Sequence, residues 1–288
     1  MTMLRIALPN KGRLNQSAIK LMERIGLKVP ESDSRTLIAD VGKGRYQVLM
    51  ARAQDIPEFV EMGAADMGIT GLDLVLETGR DVETVMDLDF GRCRLVVAVP
   101  EGATYATPED VPDGCTVATC FPRLTKSYFD RIGKRVQVAV VSGATEVAPR
   151  IGLADIITDL TETGSTLKVN RLKEVGVVLE SKAVVVANRQ AMEENRLMVD
   201  EVVNAFKSVI AASRMRYVMA NVPKEMLPNL STLVPGVSGP TVMPIMGRDD
   251  MVAVHAVTRE DEVNGVIAVL KEIGAAGILI MPIERMVL

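Results

Sequence analysis

The chain has 288 residues, 48% of them hydrophobic and 24% charged, with a formal net charge of -4. That length exceeds a usual single domain and allows a sizeable core spread over two or three units. No excess of Lys and Arg answers a nucleic-acid backbone, and no run approaches the roughly 20 apolar residues of a membrane span, so neither partner is expected.

In chain order, "MLRIALP" reads as a buried strand, and Leu14, Ala18, Leu21, Met22 and Ile25 follow at helical spacing, a βα unit. The N-terminus has no long apolar region and no small-residue cleavage site, so a cytoplasmic protein is expected. The turn between strand and helix holds Lys11 and Arg13. Two cations at a helix start oppose its dipole, which hints at a bound phosphate, although a solvated basic turn has the same look. "YQVLMA", "ADMGITG", "CRLVVAVP", "CTVATC", "VQVAVVSG", "ADIITD" and "KAVVVAN" are further strands. "AQDIPEFVEMG" and "RLTKSYFDRIG" are helices between them, and such alternation predicts mainly parallel α/β sheets. Arg52 and Asp73 follow strand ends, where α/β sites gather. Met22, Met50, Met62, Met67 and Met86 read as core filler.

Two seams, "LDFGRCRL" near residue 90 and the stretch near 182, fit a two-lobed body whose lobes exchange strands at a hinge, with ligands in the cleft. A third loop, after "VQVAVVSG", has Glu146 opening a helix. "DLTETGSTL" ends the next strand with Asp159, Thr161, Glu162, Thr163, Gly164, Ser165 and Thr166. Unpaired N–H groups and hydroxyls at one point suit a phosphate, and the acids supply acceptors for sugar hydroxyls, a combination fit for a ribose 5-phosphate. An ordinary helix cap by Thr161 or Thr163 accounts for part of the same pattern. The following "LKVNRLKEVG" is expected to be helical, as is the long stretch from 193 to 215.

The tail reads β-α-β-β-α-β: "RMRYVMANV", a short helix in "KEMLPNLSTLV", "GPTVMPIM", "MVAVHAV", an amphipathic helix through Val263, Val266, Ile267, Leu270 and Ile273, then "AGILIMPI". This predicts a ferredoxin-like module of roughly 75 residues. The single histidine, His255, reads as a strand residue. It leaves no zinc cluster and no triad, and the three cysteines, without CxxC spacing, read as buried thiols.

Taken together, "LPNKGRL" (8–14), "DMGITGLD" (66–73), "LDFGRCRLVVAVP" (88–100), "ATCFPRL" (118–124), "GATEVAPRIGLADIITDLTETGSTLKVNRL" (143–172), "PGVSGPTVMPI" (235–245) and "KEIGAAGILIMPIERM" (271–286) resemble ATP phosphoribosyltransferase, the first enzyme of histidine biosynthesis, in its long form. The resemblance implies a two-lobed catalytic body like a periplasmic binding protein, with residues 1–92 and 182–212 in one lobe and 93–181 in the other. Residues 213–288 would be a regulatory, histidine-binding domain. It implies transfer of the phosphoribosyl group of phosphoribosyl pyrophosphate (PRPP) to N1 of ATP, with Mg2+ held mainly by the substrate diphosphate and histidine as inhibitor. A homo-oligomer, dimer and hexamer, is likewise implied. Lys11, Arg13, Arg52 and Asp73 are assigned to ATP; Asp159, Thr161, Glu162, Thr163, Gly164, Ser165 and Thr166 to PRPP; Lys11, Arg13 and Glu146 to catalysis. Displacement at an anomeric carbon needs positioning and a neutralised leaving group more than a strong nucleophile, so the lone histidine is no handicap. A two-lobed small-molecule binding protein and a purine-salvage phosphoribosyltransferase are the alternatives.

Overall fold

The computed structural model describes residues 3–30, 37–229, 237 and 239–287. Strand β1 (Leu4–Pro9) buries Leu4, Ile6 and Leu8 completely, and helix α1 (Asn15–Arg24) lays Ala18, Leu21 and Met22 into the same core. The chain continues through β2 (Ile38–Val41), β3 (Tyr46–Ala51), α2 (Ile56–Glu61), β4 (Met67–Gly71), α3 (Leu72–Thr78) and β5 (Glu83–Asp87). It then crosses into a second sheet of β6 (Cys93–Pro100), β7 (Thr116–Thr119), β8 (Gln137–Val140), β9 (Ile156–Thr161) and β10 (Leu172–Ser181). Helix α4 (Pro122–Arg131) follows β7, and α5 (Ser165–Val169) follows β9. Strand β11 (Ala183–Ala187) returns to the first sheet between β4 and β5, giving the orders β2-β3-β1-β4-β11-β5 and β10-β6-β9-β7-β8. This is the two-lobed body in which each lobe lends a crossing segment to the hinge.

The sheets are mixed, not mainly parallel. β1 runs parallel to β3 and β4, and β7 parallel to β8 and β9, but β2, β6, β10 and β11 are antiparallel to their neighbours. A chain that enters a lobe and leaves it through one hinge must run at least one strand against the βα units. The predicted helix "LKVNRLKEVG" is also corrected. Arg171 takes a left-handed φ of 57°, and β10 begins at Leu172. Pairing with β6 from Leu172 to Ser181 and the packing of Val175 and Val178 beside Phe129 override the local helical spacing. Met62, expected in the core, is 74% exposed.

Asn188 caps α6 (Arg189–Glu194) by accepting the N–H of Ala191 at 3.1 Å, and a break at Asn195 separates it from α7 (Arg196–Ser213). The expected single long helix is therefore two. By internal contacts the chain divides between Val203 and Asn204, within α7.

The second unit contains β12 (Met215–Pro223), a 3-10 helix (Lys224–Asn229), β13 (Thr241–Ile245), β14 (Arg248–Arg259), α8 (Val263–Glu272) and β15 (Ala276–Pro282). Its antiparallel order β13-β14-β12-β15 is that of a ferredoxin-like sheet, and Val218, Ala220, Val222, Val254 and Ala256 pack under Val266 and Leu270 of α8. The rest of the expected helix in "KEMLPNLSTLV" and part of "PGVSGPTVMPI" lie outside the described residues. His255 sits on β14, hydrogen-bonded through Nδ1 to the Tyr217 hydroxyl. Cys93 and Cys115 are buried, whereas Cys120 is exposed. Among the described residues no helix is long and apolar enough to cross a membrane.

One buried carboxylate ties the hinge together. Asp73, 1% exposed at the start of α3, accepts Arg13 Nη2 at 3.2 Å and the Ser181 hydroxyl at 2.5 Å. Arg13 also donates to the Gly91 carbonyl, and the crossing segments pair through Leu88 N–H to Ala183 O at 2.9 Å and Ala183 N–H to Phe90 O at 3.1 Å. Gly91 has a φ of 66°, a left-handed conformation that favours glycine, and a Cβ there would press on the end of the Leu14 side chain. Asp73→Asn leaves Arg13 and Ser181 facing an amide; it is expected to lower stability by about 1–3 kcal/mol, read as an earlier midpoint in urea. An unchanged midpoint would remove Asp73 from this structural role.

Candidate active site

Because β1, β3 and β4 are parallel, their C-terminal ends share one edge, and they deliver Lys11 and Arg13, then Arg52, then Asp73 to it. The parallel trio β7, β8 and β9 does the same for Cys120, the loop carrying Glu146, and residues 159–166. The edges meet at the hinge. A cavity of about 460 Å³ is lined by Leu72 from the first lobe and Glu162 from the second, with Arg92, Arg94, Ser181 and Lys182 between them.

The hydroxyl-rich loop is held from inside. Thr161, buried at the end of β9, accepts the Gly164 N–H on Oγ1 at 2.8 Å; Gly164 turns the chain with a left-handed φ of 77°, and Thr163 and Ser165 hydroxyls lie 3.1 Å apart. Gly164, not Thr161 or Thr163, occupies the cap position of α5. Ser165 and Thr166 begin that helix, so their N–H groups have no intrahelical partner. Glu162, Thr163, Ser165 and Thr166 are exposed, which leaves both hydroxyls and amides open to a ligand.

Asp159 stands at the base of this loop. Burial, followed by the charge of Glu146, pushes its carboxyl above the usual range, and the Leu160 N–H at 2.8 Å pulls the other way. The Cys120 thiol lies 3.9 Å from Asp159 Oδ1, and although the residue as a whole is exposed, desolvation of the thiol and then the charge of Asp159 push it up to about 11. Glu146 lies in a single 3-10 turn (Thr145–Val147) entered through the left-handed Ala144 instead of the expected helix. It also lines a separate cavity of about 310 Å³ with Arg150, Asn170 and Arg171.

The structure thus groups Asp159 with Glu146, and Arg13 with Asp73. Lys11 and Arg52 project from their turns, exposed, with no ion-pair partner among the described residues. The ion pair means that Arg13 is not a free phosphate cation in this state: half of its guanidinium is committed to Asp73 and Gly91. Sequence reasoning missed Arg92, Ser181 and Cys120. The first stands inside the quoted seam "LDFGRCRL" and the last inside "ATCFPRL", so composition at the seams was the available signal. Among the described residues no three His, Cys, Asp or Glu side chains converge on a metal site.

The model of the ATP phosphoribosyltransferase family matches residues 52–208, and that of the HisG C-terminal domain matches 212–285. An ATP phosphoribosyltransferase of Methanopyrus kandleri is 48% identical over 285 residues, spanning 99% of this chain and 100% of the relative. That of Methanocaldococcus jannaschii is 44% identical over 287 residues, spanning 98% and 99%. Among solved structures, the ATP phosphoribosyl transferase (HisG:HisZ) complex from Thermotoga maritima aligns with a TM-score of 0.63 at 28% identity, covering 71% of this chain and 96% of that one. The chain belongs to the ATP phosphoribosyltransferase family.

Proposed function

We propose that this chain is a long-form ATP phosphoribosyltransferase that joins the phosphoribosyl group of PRPP to N1 of ATP and releases pyrophosphate, the first step of histidine biosynthesis. The observation that carries the reading is that parallel strands in each lobe bring the proposed residues to one C-terminal edge, Lys11, Arg13 and Arg52 on the first and residues 159–166 on the second. The loop 161–166 takes the 5-phosphate on the open amides and hydroxyls of Ser165 and Thr166, and Asp159 accepts ribose hydroxyls. Lys11 and Arg52 take nucleotide phosphates on the other lobe. Arg13 joins them through the part of its guanidinium left over from Asp73, so the charge it offers depends on the hinge. Asp73 orients Arg13 instead of touching ATP, a narrower role than the direct contact expected from the sequence.

Magnesium fits this site on the chemistry of its donors. Asp159 and Glu146 would offer hard oxygen ligands beside the loop, and being only two they would leave most of the ion's shell to substrate diphosphate and water. When bound, the ion takes up charge that develops on the leaving pyrophosphate. Glu146 contributes a negative charge near the anomeric carbon. The ferredoxin-like unit carries no residue of either half-site and is read as the histidine-responsive domain of a cytoplasmic homo-oligomer, a dimer that assembles to a hexamer. Coupling of about 1–3 kcal/mol between distinct sites is typical of such feedback.

Incubating the full chain with ATP, PRPP and Mg2+ should give N1-(5-phosphoribosyl)-ATP and pyrophosphate, resolved by chromatography; chelation should stop the reaction, and added histidine should slow it. Ribosylation of free adenine in place of ATP would contradict the assignment. Thr166→Val removes one hydrogen bond to a charged phosphate and should weaken PRPP binding by roughly 1.5–3 kcal/mol in calorimetry while the fold survives. Wild-type affinity in that variant would take the loop out of the site. Lys11→Ala should shift stability by no more than about 0.5 kcal/mol and still cut turnover steeply, whereas Arg13→Ala should lose both. Equal melting curves for the two variants would contradict the hinge role given to Arg13.

A further inference from the structure

Away from the hinge, the lobes meet at the ends of two helices. The carboxylate of Glu77, in the last turn of α3, accepts the Arg123 N–H at 2.9 Å on one oxygen and the Leu124 N–H at 2.9 Å on the other. These are first-turn amides of α4, which has Pro122 at its first position, Phe121 in the cap position and no side-chain cap hydrogen bond there. Such amides need a partner, and an anion suits the helix start. Glu77 supplies from the other lobe what the local sequence leaves out. In return, Arg123 lies over the end of α3. Gly79, the left-handed C-cap with φ 61°, has the guanidinium where a Cβ would stand, so a cation faces the carbonyl end of that helix.

This paired contact belongs to neither lobe's own packing. Val75 of α3 is buried in the core of the first lobe and Phe129 of α4 in that of the second. Each helix is thus anchored in the core of its own lobe. The contact also looks onto the cleft: the charge of Glu77 is felt at the Cys120 thiol, which in turn lies beside Asp159. The Arg13–Asp73–Ser181 cluster sits at the pivot itself, where a side chain has little leverage on the angle between lobes. Glu77 is four residues further along α3, about 6 Å.

We propose that Glu77 is a positioning residue for phosphoribosyl transfer: docked on the start of α4, it fixes the angle between the lobes and so the distance between a nucleotide held by one and a sugar phosphate held by the other. The inference rests on the two-half-site reading given above. Where reacting groups are carried by separate hinged bodies, a misplacement of about 1 Å can cost on the order of a hundredfold in rate. A carboxylate that accepts two amides from the opposite lobe is a direct means of removing that freedom.

The test uses the full chain with Glu77→Ala and Glu77→Gln. Glu77→Ala should lower kcat by about 10- to 100-fold while the Kd for PRPP alone stays within about threefold of wild type, because each half-site is intact. Glu77→Gln keeps one acceptor oxygen and should fall between the two, which also covers an alanine variant that fails to fold. In parallel, spin labels at Lys20→Cys on α1 and Asp130→Cys on α4, in a Cys120→Ser background, should report a longer and broader interlobe distance when Glu77 is alanine. An unchanged distance distribution, or an unchanged kcat, would overturn the proposal. The distance needs no turnover, so failure of the wild-type chain to make the phosphoribosylated nucleotide would count against the functional reading and not against the interlobe contact.

Discussion

Burying a carboxylate to 1% exposure is costly unless it is paired, and Asp73 is paired by groups drawn from two distant parts of the chain. Arg13 comes from the first βα turn, Ser181 from the end of the last strand of the second lobe, and the Asp73 N–H adds a hydrogen bond to the same Ser181 oxygen at 3.0 Å. Arg13 then reaches the carbonyl of Gly91 on the outgoing crossing segment. Burial of one charge thus fixes both passages of the chain between the lobes. It also fixes the guanidinium of Arg13 at the first βα turn.

This arrangement divides the chemistry. The first lobe offers exposed cations, Lys11 and Arg52, on the edge made by β1 and β3. The second offers a donor-rich loop and a carboxyl whose ionisation is opposed by burial and by Glu146. On the proposed reading, neither edge alone has both a nucleotide-phosphate site and a sugar-phosphate site. The hinge joins the lobes that carry them, and Glu77 of α3 accepts two first-turn amides of α4 across the lobes. Catalysis of this kind draws on positioning and on charge neutralisation, which explains a site without a conventional nucleophile or a histidine base.

Much of this was legible in the sequence because the chemistry-bearing turns follow strongly apolar strands. "MLRIALP" and "ADIITD" announce buried strands, and the residues after them must lie at strand ends. Direction was not legible, since β6 looks like the other apolar runs and becomes antiparallel to its neighbours only because the chain passes one hinge twice. The start of β10 was read as the end of a helix through "LKVNRLKEVG", of which only Leu167–Val169 is helical, while the pairing that decides its state comes from β6, some 80 residues away at Arg94 and Glu174. The same holds for the functional side chains. Thr161 to Thr166 could be read as a phosphate loop from their own neighbours, but the commitment of Arg13 depends on Asp73, 60 positions on. Glu77 gave no sign at all, because its partners are backbone amides of another lobe.

The central claim is that the β9 loop is the sugar-phosphate half of a site whose nucleotide half lies across the hinge. A crystal structure of the chain with PRPP and Mg2+ tests it most directly. The account predicts the 5-phosphate within about 2.7–3.2 Å of the Ser165 and Thr166 amides, with ribose hydroxyls turned to Asp159 and the diphosphate directed toward Lys11 and Arg13. A 5-phosphate seated on Lys11 and Arg52, with the loop from Thr161 to Thr166 empty, would contradict it.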